Sequence, residues 1–440
     1  MSPVSSQPDS PNHKRVRVVR NASRQSLSRQ RSSQEINPLP KLPTTPGTVF
    51  VFGSGDTGQL GLTDDMLTRK KPMPLRALDD EKIVDVVSGG LHTIAITEQG
   101  KLWSWGCNDQ RALGRSGEEY EPGRVENLDD VTIVKVACGD SVTMALSDTG
   151  ALYCWGTYRS AEGALGFSLD VAVQELPELF EPLRNETICD IAAGADHCLA
   201  LTTAGRVYGW GNGQQFQLGR RVIERRKKNG LRPETLALRE IKAIGSGSYH
   251  SFAISHSGEL YVWGLNNYQQ CGLMTDLDDR VADAVTAPTV NPGLEGKHIK
   301  AVAGGEHHTV VLLQSGEVYA FGRADSGQLG IPTNVVEQQH SHDKDEDPSK
   351  SAHKRAVGIP TKIPGLHDIE QISCGGNHSI AVGKDGTAYT WGFGEMFALG
   401  NGSDEDELTP CVLTGQKLEN HAVHRCSAGG MHSVIVASPK

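Results

Sequence analysis

Little in this chain suggests covalent chemistry or a membrane. Its nine cysteines (Cys107, Cys138, Cys154, Cys189, Cys198, Cys271, Cys374, Cys411 and Cys426) are odd in number and form no C-x-x-C pair. That argues against a disulfide scaffold or a zinc framework and for reduced thiols in the cytosol or nucleus. Aromatic residues make up only 5% of the chain. No apolar run approaches the ~20 residues of a membrane-spanning helix, and no apolar stretch near the first residue suggests a secretory leader. No nucleophile–base set, metal set or G-x-x-x-x-G-K-[S/T] phosphate loop occurs. No cofactor is expected. His340, His342 and His353 fall in an insertion, His340–Arg355, that reads as unstructured and is a weak metal candidate.

Glycine, by contrast, is abundant, with 50 in 440 residues, above the usual ~7%. No collagen triplet accompanies it, so it marks turns. Two motifs repeat seven times each. One runs from an aromatic–Gly pair to a second Gly: Phe52-Gly53 to Gly61, Trp105-Gly106 to Gly114, Trp210-Gly211 to Gly219, Trp263-Gly264 to Gly272, Phe321-Gly322 to Gly330 and Trp391-Gly392 to Gly400. The third copy, Trp155-Gly156 to Gly166, is longer by two residues. The other motif is G-x-x-H-[S/T/C] entering an apolar run, centred on His92, His197, His250, His308, His378 and His432, with Val142 in the His place of the second copy.

Between the motifs lie hairpin signals such as Glu98-Gln99-Gly100 and Asp148-Thr149-Gly150, where Gly supplies the positive φ of a tight turn. Each repeat is therefore a small antiparallel sheet with two apolar faces. Such sheets bury those faces only on each other, around an axis. The expected fold is all-β, a seven-bladed β-propeller. The first repeat lacks a G-x-x-H strand and the last lacks a Trp-Gly strand, so one blade should be stitched from both termini, which removes exposed edges. The expected division is a basic, disordered tail over residues 1–46 and the propeller over 47–440.

Residues shared by all repeats are architecture; departures are functional candidates. Each recurrent His should bond local backbone at a blade edge. The two positions before it vary and, at Asp140, Asp196 and Glu306, place acid in equivalent loops on one face. Charge is also uneven. Residues 1–40 carry Lys14, Arg15, Arg17, Arg20, Arg24, Arg29 and Arg31 against Asp9 and Glu35, although the whole chain is −10. A second basic run, Arg220, Arg221, Arg225, Arg226, Lys227, Lys228 and Arg232, lies inside the acidic body. Such patches suit nucleic acid or an acidic protein surface.

Blade-specific strings go beyond the generic repeat: Gly53-Ser54-Gly55-Asp56-Thr57-Gly58-Gln59-Leu60-Gly61, Arg69-Lys70-Lys71-Pro72, Gly106-Cys107-Asn108-Asp109, Asp404-Glu405-Asp406 and Gln416-Lys417-Leu418-Glu419-Asn420. Over residues 47–437 the chain resembles the regulator of chromosome condensation family, exchange factors of the Ran GTPase. The resemblance implies a guanine-nucleotide exchange factor that does no covalent chemistry, acts in the nucleus on chromatin and is a monomer. Its partners would be a Ran-type GTPase carrying its own nucleotide and magnesium, histones and DNA, and an importin reading the basic tail. No membrane partner is implied. It assigns exchange to Asp196, Asp140 and His308. GTPase contact falls to Asp56, His92, Asn267, Glu306, His432 and the long third loop with Tyr158 and Arg159, a wedge against the nucleotide site. Nucleosome or DNA contact falls to Lys14, Arg15, Arg17, Arg20, Arg220, Arg221, Arg225 and Arg226. A scaffold propeller without exchange activity would share every repeat feature. The start Ser2-Pro3-Val4 departs from the family's Ser-Pro-Lys methylation signal.

Overall fold

The computed structural model describes residues 35–275, 282–340 and 355–440. Within them the chain folds into seven four-stranded antiparallel sheets and one extra two-stranded hairpin. In six blades the second strand, for example His92–Thr97, His250–Ser255 or His308–Leu313, is buried at every position, and in the seventh His432–Pro439 is buried over its first six residues. It is covered on both faces by neighbouring blades, so its apolar residues run on without alternation. Outer strands such as Gln174–Leu179 are largely exposed.

Ring closure is as expected. Strand β1 (Thr48–Ser54) pairs with the last strand, β30 (His432–Pro439), with Phe50 opposite Ile435 and Phe52 opposite Ser433. Their sheet is completed by Thr68–Pro74 outside and His421–Ala428 inside.

The second Gly of the aromatic motif has a steric cause. At Gly61 (φ +66°) a Cβ would lie 2.9 Å from Trp105 of the next blade. At Gly400 (φ +64°) it would lie 2.5 Å from Phe52. The aromatic of one blade thus uses the glycine of the previous blade as its seat, and a side chain there would displace it. Trp105, Trp155, Trp210, Trp263 and Trp391 are all fully buried.

The recurrent His bonds not local backbone, as expected, but a hydroxyl of the next blade, because its ring lies between two sheets. Nε2 of His92 lies 2.9 Å from Thr143 Oγ1, of His250 2.9 Å from Thr309 Oγ1, of His308 2.9 Å from Ser379 Oγ, and of His432 2.9 Å from Thr93 Oγ1. Thr143, Thr309 and Ser379 donate onward to the carbonyls of Ala112, Gln270 and Gln328. Each such hydroxyl has its proton committed, so Nε2 must carry a proton, as it does in the neutral Nε2–H tautomer. Burial agrees, pushing His92 down to about 4 and His308 and His432 to about 3.

The ring begins at Thr48, as expected, but structured chain precedes it. The compact body starts at Glu35, a dozen residues before the boundary drawn at 46/47. Asn37 is buried, its Nδ2 donating to Ile241 O (2.8 Å) and its Oδ1 pairing with His256 Nε2 (2.9 Å). Ile36 N donates to Thr203 O, and Leu42 packs on two of the inter-blade cores. Residues 35–46 are thus a strap across the face that carries the short hairpin turns. Most of the 340–355 insertion lies outside the described residues.

Candidate binding face

The G-x-x-H loops and the connections from third to fourth strands all emerge on the face opposite the strap, because each strand reversal alternates ends. This long-loop face carries the residues that individualise the blades.

Three acids meet there. Asp140 is exposed at its loop tip; the neighbouring loops packed about its carboxyl raise it first, and the Glu306 charge second. Burial also pushes Asp196 up, to about 6, and Asp140 adds to it, although Asp196 accepts a 2.6 Å hydrogen bond from the Arg159 amide. The Tyr249 phenol is raised by burial and by all three carboxylates. Asp140 thus lies within electrostatic reach of both Glu306 and Asp196, and Tyr249 within reach of all three.

The extra length of the third loop is a two-stranded hairpin, Tyr158–Ser160 with Gly163–Gly166. Arg159 is exposed on it. Asn212 Nδ2 donates to Arg159 O (3.0 Å), and Lys227 reaches Glu162 and the Ser160 hydroxyl. The wedge thus leans on the basic loop of the next blade. In that loop Arg221, Arg225 and Arg226 are exposed, whereas Arg220 turns inward to Arg232 O (3.0 Å) and Glu234 (3.5 Å). Asp56 is exposed, with its carbonyl accepting from Tyr120. Asn267 is half-buried and accepts from Gln270 (3.1 Å).

Four expectations are corrected. His92, His308 and His432 are fully buried in the blade stitches and offer no surface to a partner. Tyr158 is likewise fully buried, its hydroxyl 3.3 Å from Cys198 Sγ. Lys14, Arg15, Arg17 and Arg20 lie outside the described residues.

Other features of the face were not singled out from sequence. Arg323 pairs with Asp325 (2.7 Å) and stacks over Tyr268 (5.2 Å), which also packs on His307 (4.8 Å). Leu91 and Met431 are exposed apolar tips at 42% and 45%. Their signal was available: each occupies a position that differs between repeats.

A closed ring of seven blades with one face individualised by its loop tips defines a binding propeller. The chain belongs to the RCC1-like domain family, whose model matches residues 48–435. It is 40% identical over 430 residues to Protein pim1 of Schizosaccharomyces pombe, covering 93% of this chain and 78% of that protein. It is 34% identical over 433 residues to Guanine nucleotide exchange factor SRM1 of Saccharomyces cerevisiae, covering 89% and 88%. Among solved structures it is similar to Prp20p of Saccharomyces cerevisiae, described with its binding to Gsp1p and histones, at a TM-score of 0.84 and 34% identity over 91% of this chain and 93% of that one.

Proposed function

We infer that this chain is a guanine-nucleotide exchange factor for a Ran-type small GTPase, working from the long-loop face. The carrying observation is the convergence of Asp140, Asp196 and Glu306 beside a projecting hairpin. Exchange requires no bond to be made by the protein. It requires tighter binding to the empty GTPase than to the nucleotide-bound one, and that coupling is reciprocal. A ~10⁵-fold loosening corresponds to ~7 kcal/mol of differential binding. The partly desolvated carboxylates suit cationic surface that the GTPase uncovers when its phosphates leave. The wedge, rooted in the ring, supplies a rigid body to occupy the vacated site. Glu306, Asp56, Asn267 and Arg159 would extend the contact around the rim. The GTPase brings its own nucleotide and magnesium.

Release of a fluorescent GDP analogue from purified Ran tests this. Acceleration at saturating protein is expected; binding without acceleration would favour a scaffold propeller instead.

A second surface would hold the protein on chromatin in the nucleus. Arg221, Arg225 and Arg226 stand free in the basic loop and suit acidic histone surface, since Arg pairs bidentately with carboxylates. The basic residues Lys14, Arg15, Arg17 and Arg20 would neutralise DNA phosphates and present an importin signal. Each phosphate contact should add about −0.9 to the slope of log affinity against log salt. Deleting residues 1–34 should flatten that slope on nucleosomes; an unchanged slope would refute the DNA contact.

A further inference from the structure

The joint that carries the wedge is built unlike the other six. Elsewhere the incoming aromatic sits on the motif glycine of the blade before. At Gly166 no such seat forms: a Cβ there would meet Ser168 O at 3.3 Å and Val171 O at 3.4 Å, not the ring of Trp210. Elsewhere tryptophan Nε1 donates to a turn carbonyl: Trp105 to Gln59 (3.0 Å), Trp155 to Ala112 (2.7 Å), Trp263 to Gln217 (2.9 Å) and Trp391 to Gln328 (3.0 Å). Trp210 Nε1 finds no turn carbonyl and has only the Tyr158 hydroxyl beside it, at the margin of hydrogen-bond geometry. The His stitch is missing as well. Val142 stands where the His should be, and Cys198 where the next blade should offer a hydroxyl.

Tyr158 occupies this joint. It is fully buried, with its hydroxyl 3.3 Å from Cys198 Sγ and its ring stacked on Phe167 at 6.3 Å. A Cβ on Gly211 would lie 3.1 Å from its ring. It is also the first residue of the hairpin. Beyond it the hairpin is held by the Asp196–Arg159, Asn212–Arg159 and Lys227–Glu162 contacts, which are exposed or half-exposed and compete with water.

We propose that Tyr158 is the positioning residue of the wedge: its ring takes the place of the turn that the other blades insert into their neighbours, and so sets where the hairpin tip stands. This rests on the reading of the hairpin as the element that loosens nucleotide. Tyr158 touches no partner; it acts by holding Arg159 to Gly163 at a fixed height above the acidic rim.

The test compares Tyr158→Ala and Tyr158→Phe by two readouts. Hydrogen exchange should show the 159–163 amides losing protection in Tyr158→Ala, while the inner strand Ile188–Ala193 keeps its own. GDP release from Ran at saturating protein should fall by about 10–100-fold, with a much smaller change in half-saturating concentration, as expected when a group is misplaced by about an ångström. Tyr158→Phe keeps the ring and should rescue both. Should Tyr158→Ala fail to fold, Tyr158→Leu is read the same way. Unchanged wedge protection in the truncated variant, or a Phe variant as impaired as the Ala variant, overturns the proposal. If the wild-type chain itself releases no nucleotide, the functional reading fails, while the exchange-protection arm still decides the positioning role.

Discussion

A carboxylate drawn out of water binds a cation well but resists ionising, and Asp196 carries both consequences. Its ordinary value of 3.8 is pushed up to about 6, first by burial. Between those values the folded chain holds a proton that the unfolded chain has lost, so stability falls as pH rises through that window. Binding to a cationic partner has the opposite sign and strengthens as pH rises through 6. Asp196→Asn keeps an acceptor for the Arg159 amide but no charge. Its affinity for nucleotide-free GTPase should therefore lack the part of the pH dependence that wild type shows between 5.5 and 7.5, and its Tm at pH 7.5 should rise by about 1–2 °C. Titration calorimetry across that range checks the first and calorimetric melting the second; identical pH profiles would contradict the assignment. The acids were legible in sequence because they break the repeat. The burial of His92, His308 and His432 was legible too, since six equivalent His imply architecture, and their partner is the hydroxyl residue that follows the His in the next copy. Family resemblance placed them on the partner's side; a side chain between two sheets has no access to it.

At the scale of elements, regular pieces announce themselves and irregular ones do not. The hairpin turns, the aromatic strands and the third-loop insertion were readable because period and Gly placement report backbone geometry directly. The strap was not. Residues 36–46 hold Pro38, Pro40, Pro43 and Pro46, a composition shared with unbound tails. What fastens the strap is Asn37 bridging Ile241 and His256, more than 200 residues away. A contact of that range leaves no local pattern. The wedge joint lies between these cases. Its length was visible and so was Val142, but Val142 and Cys198 gain meaning only once the stitch between neighbouring blades is known. Tyr158, read from sequence as part of a contact loop, is the core residue of that joint.

For the whole molecule, closure turns seven similar sheets into one object with two unlike faces. The phase of the repeats foretold it, and β1 against β30 achieves it. The face with the strap is built from short turns; the opposite face gathers the acids and the wedge. Function follows from that asymmetry. It is tested most directly by GDP release from Ran at saturating protein, comparing charge removal on the two faces. The Asp140→Asn, Asp196→Asn double variant should slow release by about tenfold or more with no loss of melting temperature. Asp148→Asn, an exposed acid in a turn on the strap face, should change the rate by less than about twofold, as for an ordinary surface charge. Equal rates for all three proteins, or equal losses from either face, would contradict it.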